Sequence, residues 1–151
     1  MTARRPLPID SSLFFKLVRV VNLTARPFVE TLSKLHQLSL NEWRTMVVLA
    51  SHPGVAASDV AEVTGLDKMS VSRTIAALDR HGRIVKRADP ADARRTLLQL
   101  TPAGRSLFEA IGASAAAREA ELFGTLDDAE LQRFGAAIDR LIAHLQDGTA
   151  G

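Results

Sequence analysis

Asp89-Pro90-Ala91-Asp92-Ala93-Arg94-Arg95, followed directly by Thr96-Leu97-Leu98-Gln99-Leu100-Thr101-Pro102-Ala103-Gly104, decides the fold of this 151-residue chain. Aspartate and proline cluster in the first stretch, which marks a turn, and residues 84–88 and 95–100 are short strand candidates on either side. Together they predict a β-hairpin. Thr101 is placed to cap a helix with Pro102 at its first position, where the missing N–H is no loss. Two arginines therefore sit on a hairpin tip, where no buried core can be what holds them.

Upstream, Ser58 can cap a short helix beginning at Asp59. Thr64-Gly65-Leu66 follows as a turn with glycine available for positive φ, and Asp67 can cap a helix over residues 68–81. Helix, glycine-containing turn and helix at this length form the helix-turn-helix pattern. His81-Gly82 ends the second helix, with the histidine favourable at its negative end. At 100° per residue, Val71, Ile75 and Leu78 fall on one side and are expected in the core. Met69, Arg73, Ala76 and Arg80 fall opposite, flanked by Ser70, Ser72 and Ala77. Small residues let a helix approach a groove, hydroxyls bond phosphates or base edges, and Arg73 can reach guanine O6/N7. Lys68 and Ser70 lie at the positive end of the helix, where first contacts are expected. An ordinary amphipathic helix with a solvated face fits this pattern equally well when taken alone.

The hairpin changes that balance. In a tight turn Asp92 is expected to hold Arg94 by a charge-assisted bond and aim its guanidinium outward, which suits the negative potential of a narrow minor groove. A turn-stabilising pair with no further role is the alternative. A helix and a basic hairpin side by side are what a winged helix-turn-helix offers to DNA. The candidate DNA contacts are Ser58, Lys68, Met69, Ser70, Ser72, Arg73, Arg80, Arg94 and Arg95, with Asp92 orienting the wing. Charge agrees. Residues 65–105 hold nine lysines and arginines against four acids, a net +5, while the rest of the chain holds ten against thirteen, a net −3.

Outside this segment the pattern is helical. Leu13, Leu17, Val20 or Val21, Thr24, Phe28 and Leu35 predict a long helix over residues 10–38, with a kink or break at Pro27. Phe14, Phe15, Val18 and Leu23 lie off its main stripe, so it is expected to be buried on more than one side. Ser39 and Glu42 form a capping box for a second helix through Trp43, Met46, Val47 and Leu49, stopped by His52-Pro53-Gly54. An alanine-rich helix runs from Pro102 to about Phe123. Asp127 and Glu130 open a last helix to about Gln146, striped by Leu131, Phe134, Ile138, Leu141 and Leu145.

Composition narrows the class further. Hydrophobic residues make up 46% and charged residues 24%, as in ordinary globular proteins. No apolar run approaches the roughly 20 residues that span a bilayer, and Pro6, Pro8 and Asp10 interrupt any signal-peptide core. No membrane partner and a cytoplasmic location are expected. The chain has no cysteine, and its four histidines are scattered without an i, i+4 pair, so no metal site and no cofactor are expected.

Asp92-x-Arg94, then Leu98-x-Leu100-Thr101-x-x-Gly104, with Asp89-Pro90 just before, resembles the MarR family of winged helix-turn-helix transcriptional regulators. Gly65-Leu66-Asp67-Lys68-x-Ser70-Val71-Ser72-Arg73 and Gly82 support the resemblance, which covers roughly residues 55–104. It implies a mainly α fold with a small β-hairpin wing. It also implies a homodimer, in which residues 1–38 and 102–147 form a helical dimerisation region around a DNA-binding lobe at 39–101, leaving 148–151 as a disordered tail. Such a dimer would read a pseudo-palindrome in double-stranded DNA. The resemblance further implies a repressor released by a small molecule, often an aromatic acid. Candidate effector contacts are Arg19 for a carboxylate, Asn22 for a ring substituent, and Trp43 with Met46 for stacking. Plain core packing fits Trp43 and Met46 as well, and an interface ion pair fits Arg19.

Two other classes stand against this reading. An enzyme would need chemistry in that pocket, yet no G-x-S-x-G, phosphate loop or metal signature appears, and no catalytic residue is expected. A ligand-independent architectural protein would bind DNA without a sharp sequence preference.

Overall fold

The computed structural model of the protein describes residues 9–149. Six helices and three short strands follow one another as α1 (Leu13–His36), α2 (Leu40–Ser51), β1 (Val55–Ala56), α3 (Ala57–Thr64), α4 (Lys68–Arg80), β2 (Ile84–Ala88), β3 (Thr96–Leu100), α5 (Pro102–Phe123) and α6 (Asp128–Gly148). The sheet is antiparallel in the order β1-β3-β2, with Ile84 opposite Leu100 and Ala88 opposite Thr96. This is a winged helix-turn-helix: α3, the Gly65 turn and α4, backed by α2 and flanked by the β2–β3 hairpin.

The core of the lobe is built where the 3.6-residue periods converge. Met46 and Leu49 of α2, Val60 of α3, Val71 and Leu78 of α4, and Ile84 and Leu98 of the sheet are all buried. Removing these apolar side chains from water stabilises the lobe by roughly 1.5–3 kcal/mol each. Trp43 closes one end, edge-on to Phe28 of α1 and stacked on Phe108 of α5 at 5.3 Å. Gly65 takes φ +73° as the C-cap of α3 and turns the chain into the Asp67 cap of α4.

Several expectations need correction. Ser58 does not cap α3. Val55 and Ala56 pair with Leu98 and Leu97 as an unforeseen third strand, so the helix starts at Ala57, and Asp59 accepts the Ala56 N–H at 2.8 Å. Strand β3 begins at Thr96 rather than Arg95. Pro27 does not break α1, which continues to His36. Nor is α1 buried on several sides within one chain: only Phe28 and Leu32 are buried, and Leu13, Phe14, Val20 and Leu23 are exposed. At the other end α6 runs to Gly148, with Thr149 as its C-cap, one residue beyond the expected helical region. The rest of the expected tail, residues 150–151, and the first eight residues of the expected dimerisation region lie outside the described residues.

The chain divides into two compact units within α5, Met1–Ala113 and Ser114–Gly151. In the second, Phe123 meets Phe134 at 6.4 Å, and Asp127 and Glu130 form the expected capping box of α6. Helix α6 has no buried residue; Phe134, Leu141, Ile142 and Leu145 are exposed. Among the described residues no helix is long and apolar enough to cross a membrane.

Candidate nucleic-acid interface

Helix α4 is held at its start by Asp67, whose carboxylate accepts the Ser70 N–H at 2.8 Å and the Ser70 hydroxyl at 2.7 Å. The backbone bond from Ser70, reinforced by that hydroxyl, favours the ionised form and lowers the Asp67 pKa below 3.8. Val71, Thr74, Ile75 and Leu78 turn inward. Lys68, Met69, Ser72, Arg73, Ala76 and Arg80 are exposed, and Ser70 is half-buried. Met69, a large apolar side chain, is 69% exposed.

These residues open in two directions. Ser58, Lys68, Met69 and Ser72 line a groove of about 610 Å³ whose other wall is Lys86 and Thr96 of the wing. Ser70 and Arg73 line a smaller recess of about 180 Å³ on the side facing Ser39 and Asn41. Arg80 lines neither, since it lies at the last turn of α4.

At the wing tip the carboxylates organise backbone. Asp89 accepts the Ala91 N–H at 2.8 Å, and the Asp92 carbonyl accepts the Arg95 N–H at 2.9 Å. The Asp92 carboxylate accepts the Arg94 backbone N–H at 3.0 Å. That corrects the expected bond to the Arg94 guanidinium: a short aspartate two residues upstream reaches the amide within an Asx turn. Among the described residues the Arg94 side chain makes no hydrogen bond or ion pair. Arg95 is different. Its guanidinium pairs with Asp59 at the start of α3 and lies 3.9 Å from Asp89, so it ties the wing to the helix-turn-helix.

Other wing cations were not anticipated. Arg87 donates to Gln99 across the hairpin, and Lys86 lies 3.3 Å from Asp79 of α4. Two adjacent cations in a strand candidate beside the turn were the available signal.

The four candidate effector residues are not brought together. Arg19 and Asn22 are exposed and share a cleft of about 470 Å³ with Phe15, Lys16, Leu23 and Arg26. Trp43 and Met46 lie in the core instead, Met46 fully buried, because α2 packs that face against the lobe.

Residues 36–95, the segment from the end of α1 to the wing, match the MarR family. The match covers 60 of the 151 residues, and over them the chain is similar to MarR-family proteins. Members are winged helix-turn-helix transcriptional regulators, DNA-binding proteins rather than enzymes. A candidate transcriptional regulatory protein for the hcr operon of Thauera aromatica is 27% identical over 118 residues, 78% of this chain and 71% of that protein. The MarR/EmrR family regulator of Acinetobacter sp. ADP1 shares the fold with a TM-score of 0.84 at 23% identity, over 93% of this chain and 99% of that one. BpsR of Bordetella bronchiseptica, whose DNA binding is regulated by 6-hydroxynicotinic acid, is 26% identical with a TM-score of 0.75, over 95% and 99% of the two chains. In a winged helix-turn-helix the second helix of the motif is the one that enters a major groove and the hairpin is the wing, the places that α4 and β2–β3 hold in this fold.

Proposed function

We propose that this chain is a MarR-family regulator, a cytoplasmic homodimer that binds a pseudo-palindromic operator in double-stranded DNA as a repressor and leaves it when a small aromatic acid binds. The observation that carries the reading is the exposed face of α4, with Lys68, Ser72, Arg73 and Arg80, beside a wing whose Arg94 guanidinium has no intramolecular partner among the described residues. Arg73 reads bases, Lys68 and Ser70 hold phosphate at the helix start, and Arg94 enters the minor groove. Ser58, Met69 and Ser72 line the approach, and Arg95 acts through the wing it braces.

Dimerisation through residues 1–38 and 102–147 covers apolar surface that one chain leaves in water, including Leu13, Phe14 and Leu23 of α1 and Leu141 and Leu145 of α6. The effector reading rests on Arg19 and Asn22, joined in their cleft by Lys16 and Arg26, a cationic setting that suits a carboxylate. BpsR, regulated by an aromatic acid, supports that chemistry.

Light scattering on the protein with a bound duplex, followed by titration with hydroxylated aromatic carboxylic acids, tests the proposal. The expected result is two chains per duplex and release by at least one acid. One chain per duplex contradicts the dimer. A complex that no acid disturbs and a single base-pair change leaves untouched favours an architectural binder.

A further inference from the structure

Arg83 follows the left-handed Gly82 that ends the α4 turn, and its side chain reaches the junction between α1 and α2. Its guanidinium donates to the His36 carbonyl, to the Gln37 carbonyl at 3.2 Å and to the Glu42 carboxylate at 3.5 Å. The first two acceptors are the last carbonyls of α1, the negative end of that helix. Gln37 is held at φ 49°, the left-handed region, and is the one non-glycine residue with positive φ among the described residues. Glu42 is engaged twice, since its other carboxylate oxygen caps the Ser39 N–H at 3.2 Å. The corner between α1 and α2 is therefore closed by a single arginine fork.

The backbone of the same residue serves the other exit from the lobe. The Arg83 carbonyl accepts the Thr101 N–H at 3.1 Å, and α5 crosses so close that a Cβ on Gly104 would lie 2.0 Å from that oxygen. The Thr101 hydroxyl adds a bond to the Gly82 carbonyl at 2.6 Å. One residue thus touches the end of α1, the start of α2 and the start of α5, while its own strand leads into the wing.

We propose that Arg83 is a positioning residue for DNA recognition: it fixes the direction in which α1 and α5 leave the lobe and thereby the spacing of the two recognition helices in the dimer. The inference rests on the dimeric reading above. Arginine suits the task because a rigid planar fork serves several acceptors at once, which a lysine ammonium on a flexible stem does not. Recognition residues on α4 stay untouched, so a single lobe should bind its half-site as before. What loosens is the discrimination between half-site spacings.

The test compares Arg83→Met, Arg83→Lys and Glu42→Gln with the wild type on three duplexes at one stated salt concentration: the selected operator, the same operator with two base pairs inserted between half-sites, and an isolated half-site. Wild type is expected to prefer the native spacing by about tenfold or more, since two base pairs rotate one half-site well off the dimer's two-fold register. Arg83→Met is expected to reduce that preference to about twofold, with half-site affinity kept within about twofold. Arg83→Lys should restore only part of it. Glu42→Gln, which keeps an acceptor for Ser39, should shift it in the same direction even if Arg83→Met folds poorly. Variants that keep the wild-type preference, or that weaken all three duplexes equally, overturn the proposal. A wild type indifferent to spacing overturns the dimeric reading and this inference with it.

Discussion

The Arg83 guanidinium and the Glu42 carboxylate meet 3.5 Å apart with only 12% and 10% of their side chains exposed. They lie forty-one positions apart in sequence, and among the described residues neither makes another ion pair. Glu42 also completes the Ser39 capping box, so truncating it removes a cap and leaves Arg83 with carbonyl acceptors but no counter-charge. Glu42→Ala is expected to destabilise the protein by about 2–4 kcal/mol. Glu42→Gln keeps the cap acceptor and should lose about half of that. Urea unfolding at neutral pH measures both, and an alanine variant within about 0.5 kcal/mol of wild type contradicts the assignment.

Gly104 is expected to be intolerant for a different reason. Its φ is ordinary, but the Arg83 carbonyl fills the space a side chain needs, and that oxygen already accepts from Thr101. Backbone cannot swing aside as a side chain can. Gly104→Ala should destabilise by about 1–3 kcal/mol, whereas alanine at Gly112, where the space is open, should be neutral or favourable in a helix. Thermal unfolding of the two variants side by side decides it.

The Asp67 cap gives a pH prediction. Its carboxyl is held below 3.8 by the Ser70 N–H and hydroxyl. A carboxylate with a depressed folded pKa contributes stability that is fully present above its unfolded value and lost as pH falls through the folded value. The start of α4 should therefore remain capped at pH 5 and loosen only below 3.8. An NMR titration of the Asp67 carboxyl should show a midpoint below 3.8, and a midpoint at or above it contradicts the cap. Asp67→Asn, which still accepts the Ser70 N–H, should remove this pH dependence while retaining most of the helix start.

The two adjacent wing arginines should behave differently. Arg94→Ala is expected to weaken binding across many sequences and to reduce the salt slope by about 1, because its guanidinium acts through groove potential. Arg95→Ala should instead speed hydrogen exchange in the wing by releasing it from Asp59, with a small effect on stability because the pair is part-exposed. Arg73→Ala should cost on the order of 1–3 kcal/mol at particular base pairs only. Equal losses for Arg73→Ala and Arg94→Ala on every sequence would show that α4 does not read bases.

The helix starts and the α4 core stripe were legible because their signals are local. The Ser39–Glu42 and Asp127–Glu130 boxes, the Asp67 cap and the Val71, Ile75, Leu78 stripe each lie within a few residues, and the structure places them as expected. Misses share the opposite character. Val55–Ala56 is too short to announce a strand and exists only because Leu97 and Leu98 offer it partners. Asp59 and Arg95 are 36 residues apart, and Arg83 reaches back 46 and 47 residues to Gln37 and His36. Charge patterning marks such residues as cations but not as braces. Trp43 and Met46 left two readings open for a related reason: an aromatic and a methionine one turn apart fit a ligand wall and a core, and both are buried, Trp43 against Phe28 and Phe108.

The central claim is sequence-specific recognition by α4 and the wing in a two-fold arrangement. Selection of bound duplexes from a random pool, with the purified protein at a stated salt concentration, tests it most directly. The predicted result is a pseudo-palindrome with half-sites about one helical turn, roughly 10 base pairs, apart, flattened at particular positions by Arg73→Ala. A pool that shows no enrichment, or a single asymmetric element unaffected by Arg73→Ala, would contradict the account.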